Sequence, residues 1–98
     1  MSEWIPWAGP AYWGRERELV AEALDSTWIS GGPFVDRLEE EFRRRTGAPY
    51  AATACNGTAA IHMAFLALGL KPGDEVVVPG FAFMAAANVA LHMGVRPV

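Results

Sequence analysis

Apolar residues in the first half of the chain recur at the three- and four-residue spacing that is typical of amphipathic helices. One run begins near Arg15 and ends at Asp25-Ser26. Another begins at Pro33, which suits the first helical position because the amide that it lacks would have no partner there. Gly47 follows this run at the position of a C-terminal cap. The pattern therefore predicts two helices separated by a loop over residues 27–32.

The second predicted helix carries a dense run of charge from Glu39 to Arg45. Acidic residues precede basic ones by four positions, which is the more favourable order on a helix surface. The pairs are Glu39/Arg43, Glu40/Arg44 and Glu41/Arg45. We interpret this run as a solvated helix face without a binding role.

The second half of the chain alternates strand-like and helix-like segments. Short apolar strands are predicted at Tyr50–Ala54, Val76–Val78 and Val95–Val98, and helices at Thr58–Leu68 and Met84–Met93. Lys71-Pro72-Gly73-Asp74 has proline and glycine where a type II turn requires them. Strands that alternate with helices indicate a parallel sheet covered on both faces. We therefore expect an α/β fold of order β-α-β-α-β, and a second half that is largely buried.

The length of the chain bears on its domain organisation. Ninety-eight residues lie at the lower end of the single-domain range, and a sheet covered on both faces needs more than three short strands. We therefore expect residues 1–98 to be the N-terminal part of one larger α/β domain. Residues 1–48 are predicted to form an N-terminal arm and two helices, and residues 49–98 the start of the sheet.

Composition narrows the class of protein. The chain is 52% hydrophobic and 19% charged, as in globular proteins, and its net charge of −3 without a basic run argues against nucleic-acid binding. One cysteine and two histidines exclude an internal disulfide and indicate no metal site. Neither a leader peptide nor an 18-residue apolar run is present, so we expect a soluble, cytoplasmic protein without membrane contacts.

The first candidate for chemistry is Cys55-Asn56-Gly57-Thr58, between a predicted strand and a predicted helix. A helix N-terminus offers unpaired amides and a partial positive charge, glycine permits close approach of a ligand, and threonine adds a hydroxyl. This combination is typical of a phosphate or other anion site. The segment is neither a G-x-G-x-x-G fingerprint nor a Walker loop, and such turns also occur without a ligand, so a structural role stays open.

The second candidate is Pro79–Phe83, at the carboxyl end of the middle predicted strand. Parallel sheets bind ligands at this edge. Phe81 and Phe83 could stack there on a planar ring, or belong to the core.

The remaining reactive side chains are interpreted as structural. The sequence indicates no base that could activate Cys55, so we interpret Cys55 as a buried small residue and not as a nucleophile. His62 and His92 lie on apolar helices, which indicates core histidines.

Four motifs occur in a fixed order along the chain. They are LDSTWISGGP at 24–33, NGTAAIHMA at 56–64, ALGLKPGDEVVVP at 67–79, and AAN at 86–88 followed by GVRPV at 94–98. Their spelling and spacing resemble the DegT/DnrJ/EryC1/StrS family of sugar aminotransferases, which depend on pyridoxal 5'-phosphate (PLP), and most closely its 4-aminotransferases. The resemblance begins at about Trp7. It implies the N-terminal part of a PLP fold-type I large domain, similar to aspartate aminotransferase.

The resemblance also implies a cofactor site. Gly57 and Thr58 match the positions that hold the cofactor phosphate in the family, and Phe83 matches the aromatic residue that stacks on the pyridine ring. Ala82 stands where the family often has threonine, which puts one hydroxyl contact with the cofactor in doubt.

The implied substrates are a nucleotide-linked deoxysugar that accepts an amino group at a keto carbon and an amino-acid donor, usually glutamate. Trp7, Thr27, Trp28, Ile29 and Ser30 match the part of the family that lines the sugar pocket near the dimer interface. A homodimer is implied, because the family builds its active site from two subunits.

Amino transfer with PLP needs a Schiff-base lysine and an acidic partner for the pyridine nitrogen. Lys71, the only lysine, lies in a predicted turn on the wrong side for this role. In the family both groups lie downstream of the position matching Val98. The resemblance therefore implies no catalytic residue within the 98 residues, and we expect the chain alone to be inactive.

Three alternatives stay open. The first is a sugar 3-dehydratase, because some family members catalyse this dehydration and carry histidine in place of the lysine. The chain could also be a truncated, non-catalytic interaction module, although unpaired strand edges and uncovered apolar faces favour aggregation. The third alternative is a generic βαβ domain, which requires the match to the four motifs to be coincidental.

Overall fold

A computed structural model describes residues 8–98 of the chain, so Trp7, expected in the sugar pocket, lies outside the described residues. The chain divides into two compact units, one ending at Gly47 and the other beginning at Ala48. Within residues 8–98, the longest helix is too short to cross a membrane.

The first unit contains the two helices that the sequence predicts. Helix α1 spans Glu16–Asp25 and helix α2 spans Pro33–Thr46. Pro33 is the first residue of α2, where its missing amide is harmless. Gly47 ends the helix in the left-handed region, with φ of 73°, and its amide donates to the carbonyl of Arg43 at 2.8 Å. The predicted cap is therefore confirmed.

The charged face of α2 is solvated, as predicted, but Arg44 does not pair with the predicted residue. Glu41 accepts hydrogen bonds from both Arg44 and Arg45, each at 2.6 Å. The sequence pattern assigned Arg44 to Glu40. Arg44 instead binds the residue three positions away, because residues three and four apart are both neighbours on a helix surface.

The second unit is a small α/β arrangement. Its elements are α3 at Gly57–Ala67, β1 at Glu75–Val76, α4 at Ala85–His92 and β2 at Arg96–Pro97. The strands β1 and β2 are parallel, and α4 is the connection between them. The predicted α/β class and parallel pairing are therefore confirmed.

Backbone pairing extends beyond the short strands. Val76 lies opposite Pro97. The amide of Val98 donates to the carbonyl of Val76, and the amide of Val78 donates to the carbonyl of Val98, both at 2.9 Å. The predicted strand at 76–78 is thus paired along its length, and its carboxyl end leads directly into the segment before α4.

The turn before β1 has the predicted form. Gly73 has φ of 95°, and the amide of Asp74 donates to the carbonyl of Lys71 at 3.1 Å. A type II turn requires a positive φ at its third residue, which glycine adopts without steric cost. Lys71 lies in this turn, as expected, and is exposed.

The core of the second unit lies around α4. Three of its residues, Ala85, Val89 and Ala90, are buried, together with Val95 just before β2. Helix α4 packs against α3 on one side and against β2 on another. The small side chains of α4 permit this close packing on two sides.

Two predictions for the second unit are wrong. Residues 50–54 form no strand, and the sheet within residues 8–98 consists only of β1 paired with β2. The expectation of a largely buried second half also fails, and Val77, for example, is 86% exposed. A two-stranded sheet with one connecting helix covers only the side chains next to that helix.

Candidate functional site

An open cleft of about 830 Å³ lies where the start of α3, the carboxyl end of β1 and the start of α4 come together. Its volume is in the range of small-molecule and cofactor sites. Its position matches the ligand-binding edge of a parallel sheet. The lining residues are Asn56, Gly57, Thr58, Ile61, Val78, Pro79, Gly80, Ala82, Phe83, Met84, Ala85, Ala86 and Ala87.

The N-terminus of α3 lies at this cleft, because Asn56, Gly57 and Thr58 line it. Asn56 caps the helix, because its Oδ1 accepts the amide of Ala59 at 2.9 Å and its carbonyl accepts the amide of Ala60 at 3.1 Å. The helix begins at Gly57, one residue earlier than predicted. The first amides of a helix have no intrahelical acceptor, so those of Gly57 and Thr58 remain to bind a ligand.

Asn56 is a residue of the cleft that the sequence analysis did not single out. The signal was present, because asparagine directly before a helical run is among the preferred N-caps. Asn56 binds the amides of Ala59 and Ala60, so the amides of Gly57 and Thr58 are those that precede the cap bonds.

Gly57 is not required by packing within the chain. A Cβ built on it meets no atom of residues 8–98 within 4 Å, and its φ is not positive. Neither a tight contact nor an unusual backbone conformation therefore explains glycine here. The open space leaves the backbone of Gly57 accessible to a ligand, as at phosphate sites on helix N-termini.

Phe83 and Phe81 differ in position although only one residue separates them. Phe83 lines the cleft and is 89% exposed, whereas Phe81 is fully exposed and lies outside the lining. The alternative that they belong to the core is therefore wrong for the described residues. Phe83 offers an aromatic face to a planar ligand, beside Ala82, the position where the family often has threonine.

The loop expected to contact the sugar lies in the first unit. Thr27, Trp28, Ile29 and Ser30 are all exposed, between α1 and α2. Thr27 has φ of 63°, which is unusual for a β-branched residue.

The remaining reactive side chains differ in part from expectation. Cys55 is exposed and not buried, because it precedes the cap of α3 at the open end of that helix. His62 is half-buried, but His92 is exposed and is not a core residue. The two imidazoles meet edge to face, with centroids 6.0 Å apart, across the α3–α4 contact. Among the described residues, no cluster of three or more metal-ligating side chains is present.

Comparison with known proteins identifies the family. The profile of the DegT/DnrJ/EryC1/StrS aminotransferase family matches residues 12–98. The chain belongs to this family. The resemblance inferred from the four motifs is thus confirmed.

Curated relatives of the family include GDP-perosamine synthases. The chain is 42% identical over 97 residues to the enzyme of Escherichia coli O157:H7, an alignment that covers 98% of this chain and 27% of the relative. The chain therefore spans about a quarter of the length of the curated relatives that it matches.

Solved structures confirm the fold. A protein from Streptococcus pneumoniae described as a sugar aminotransferase, in its PLP form, is 34% identical with a TM-score of 0.83, covering 96% of this chain and 24% of that one. The E. coli GDP-4-keto-6-deoxy-D-mannose-3-dehydratase with bound hydrated PLP is 26% identical with a TM-score of 0.79, covering 94% and 25%. The fold is therefore the PLP fold-type I arrangement, and PLP is the cofactor of the family.

Proposed function

We propose that the protein carrying this chain is a PLP-dependent aminotransferase that moves an amino group, from glutamate, to a keto carbon of a nucleotide-linked deoxysugar. When bound, PLP supplies the electron sink that allows an amino group to leave one carbon and join another. The chain contributes a phosphate cradle, a ring-stacking wall and part of the sugar pocket. The protein acts as a homodimer.

One observation carries the cofactor part of this proposal. Gly57, Thr58 and Phe83 all line one cleft. The helix N-terminus favours an anion there, and the aromatic ring favours a flat heterocycle. PLP combines a phosphate with a pyridine ring, so the donor set fits this cofactor.

The sugar part of the proposal depends on the loop after α1. Thr27, Trp28, Ile29 and Ser30 expose two hydroxyls, an indole and an aliphatic side chain, which suit a hydroxylated ring with an apolar face. Trp7 is proposed to join them. The GDP-perosamine synthase relatives support a nucleotide sugar as the substrate class.

The chain by itself is proposed to be inactive. Its only lysine, Lys71, lies in the turn before β1 and does not line the cleft. Its amide donates to Asp74 Oδ2 at 2.9 Å, which closes the turn on itself. A lysine from outside the 98 residues is therefore needed for amino transfer.

Sugar 3-dehydration is the second candidate, favoured by the similarity to a 3-dehydratase with bound PLP. The two reactions leave different products. Amino transfer puts the donor nitrogen on the sugar, whereas 3-dehydration removes an oxygen and leaves no nitrogen.

The test uses the full-length protein with PLP, ¹⁵N-glutamate and GDP-4-keto-6-deoxymannose, followed by mass spectrometry of the nucleotide sugar. We expect an amino sugar that carries ¹⁵N. A deoxygenated sugar without ¹⁵N supports the dehydratase. An unchanged sugar together with failure to retain PLP contradicts both reactions.

A further inference from the structure

The loop at residues 27–32 leaves α1 through a strained backbone. Thr27 directly follows Ser26, the C-cap of α1, and has φ of 63°. Its amide donates to the carbonyl of Leu24 at 3.1 Å, the position where helices usually place glycine. A β-branched residue adopts this conformation only where the surrounding structure enforces it.

The loop enters α2 through a residue that must be glycine. Gly32 is the N-cap of α2, with φ of 87° and ψ of −152°. A Cβ built on Gly32 lies 2.8 Å from Cε3 of the Trp28 indole and 3.1 Å from its Cδ2. The indole therefore covers the backbone of Gly32, in space that any larger residue needs for its own side chain.

Trp28 thereby connects the two ends of the loop. Its amide donates to Ser26 Oγ at 3.2 Å, and that hydroxyl donates to the carbonyl of Ala23 at 2.7 Å. Its ring lies on the backbone at the start of α2. Between these two attachments, Ile29 and Ser30 project into solvent, and Ile29 is 74% exposed.

We propose that Gly32 is a positioning residue for the sugar substrate. By admitting the Trp28 indole, it fixes the loop that presents Ile29 and Ser30. The inference rests on the proposed function, because the sugar role of this loop is part of that proposal. The contact between Gly32 and the Trp28 indole affects binding of the nucleotide sugar. It leaves the reaction with the amino donor unaffected, because the amino acid has no sugar to place in this pocket.

The chain offers a matched control in Gly31. A Cβ at this neighbouring glycine meets no atom of the described part of the chain within 4 Å, and its φ is not positive. Gly31→Ala and Gly32→Ala therefore add the same methyl group one residue apart, and only the second meets the indole and places alanine at a positive φ. Because Trp28 is largely exposed, its ring can swing outward in G32A while α2 remains formed.

The experiment compares the two variants in the full-length protein. The readouts are KM for the nucleotide sugar, the rate with glutamate alone, and the ¹⁹F resonance of 5-fluorotryptophan at position 28. We expect G32A to raise the sugar KM about tenfold, with the glutamate rate retained and the resonance shifted. G31A should match the wild type in all three. Equal sugar KM values for G32A and G31A overturn the inference.

A second comparison separates the indole from the backbone strain of alanine at a φ of 87°. In the W28A background, where no ring lies over residue 32, we expect G32A to raise the sugar KM less than it does in the wild type. An equal rise in both backgrounds shows that Gly32 acts independently of Trp28 and overturns the inference. If G32A does not fold, W28A alone is the test, and a wild-type sugar KM in W28A overturns the inference. Failure of the proposed function gives a different result, namely a wild-type protein that reacts with neither glutamate nor the sugar. In that case the ¹⁹F shift in G32A still reports the contact between Trp28 and residue 32.

Discussion

Three single residues account for the chemistry proposed for the cleft. Gly57 lacks a side chain where no atom of residues 8–98 fills the space, Thr58 adds a hydroxyl at the helix start, and Phe83 adds a ring to the cleft lining. The sequence pattern located the phosphate cradle, since glycine and threonine at a helix start have a known physical use. It could not separate Phe83 from Phe81, because the side of the strand end that each ring occupies depends on the backbone between β1 and α4.

Thr58→Val tests the phosphate cradle. Valine keeps the shape of threonine but removes the hydroxyl, and a hydrogen bond to a charged group contributes about 1.5–3 kcal/mol. We expect PLP affinity to fall by about tenfold or more, with affinity for pyridoxal, which lacks the phosphate, unchanged. Titrations of both ligands followed by fluorescence measure the difference. Equal losses for the two ligands argue against a phosphate contact.

Phe83→Leu tests the ring-stacking wall, with Phe81→Leu as its matched control. Aromatic stacking contributes about 0.5–1.5 kcal/mol beyond area burial, so F83L should weaken PLP binding by about two- to tenfold. F81L should leave binding unchanged, because Phe81 does not line the cleft. If the control loses as much affinity as F83L, Phe83 has no specific role.

At the scale of elements, helices were predicted better than strands. Helical spacing and caps are local, so α1, α2, α3 and α4 lie within one or two residues of the predicted bounds. A strand depends on a partner elsewhere, which a local pattern does not supply. Residues 50–54 show the result, because their apolar pattern is that of a strand and they pair with neither β1 nor β2.

The Asn56 cap allows the stability of α3 to be separated from ligand binding. Asn56→Ala removes the bond to the Ala59 amide and should lower the free energy of unfolding by about 1 kcal/mol. Asn56→Asp keeps a capping oxygen but adds a negative charge next to the phosphate position. We expect N56D to unfold at about the wild-type denaturant concentration and yet to bind PLP more weakly than N56A. The reverse order of affinities contradicts an anion site.

Helix α2 has a pH dependence that follows from one carboxylate. Hydrogen bonds from Arg44, and then Arg45, lower the pKa of Glu41 from 4.5 to about 2. Because the folded pKa lies below the usual value, the stabilisation is present above pH 4.5 and is lost as the pH falls through about 2. Solvent exposure and salt keep the effect small. A ¹³C NMR titration of the Glu41 carboxylate should show this lowered pKa, and a midpoint near 4.5 contradicts the pairing.

At the scale of the whole molecule, the family and the fold class could be predicted from four motifs, whereas the geometry of the sugar loop could not. The left-handed Thr27 and the indole over Gly32 have no local sequence signal, because both follow from how α1 and α2 fix the two ends of the loop. Burial was overestimated for a similar reason. Apolar composition indicates which residues need cover, while the tertiary arrangement determines which of them receive it.

The central claim is that the cleft at the start of α3 holds PLP by its phosphate. The most direct test is a crystal structure of the full-length protein with the cofactor bound. We expect the phosphate within about 3 Å of the amides of Gly57 and Thr58, and the pyridine ring against Phe83. A phosphate bound elsewhere in the protein, with the α3 N-terminus in contact only with solvent, contradicts the account.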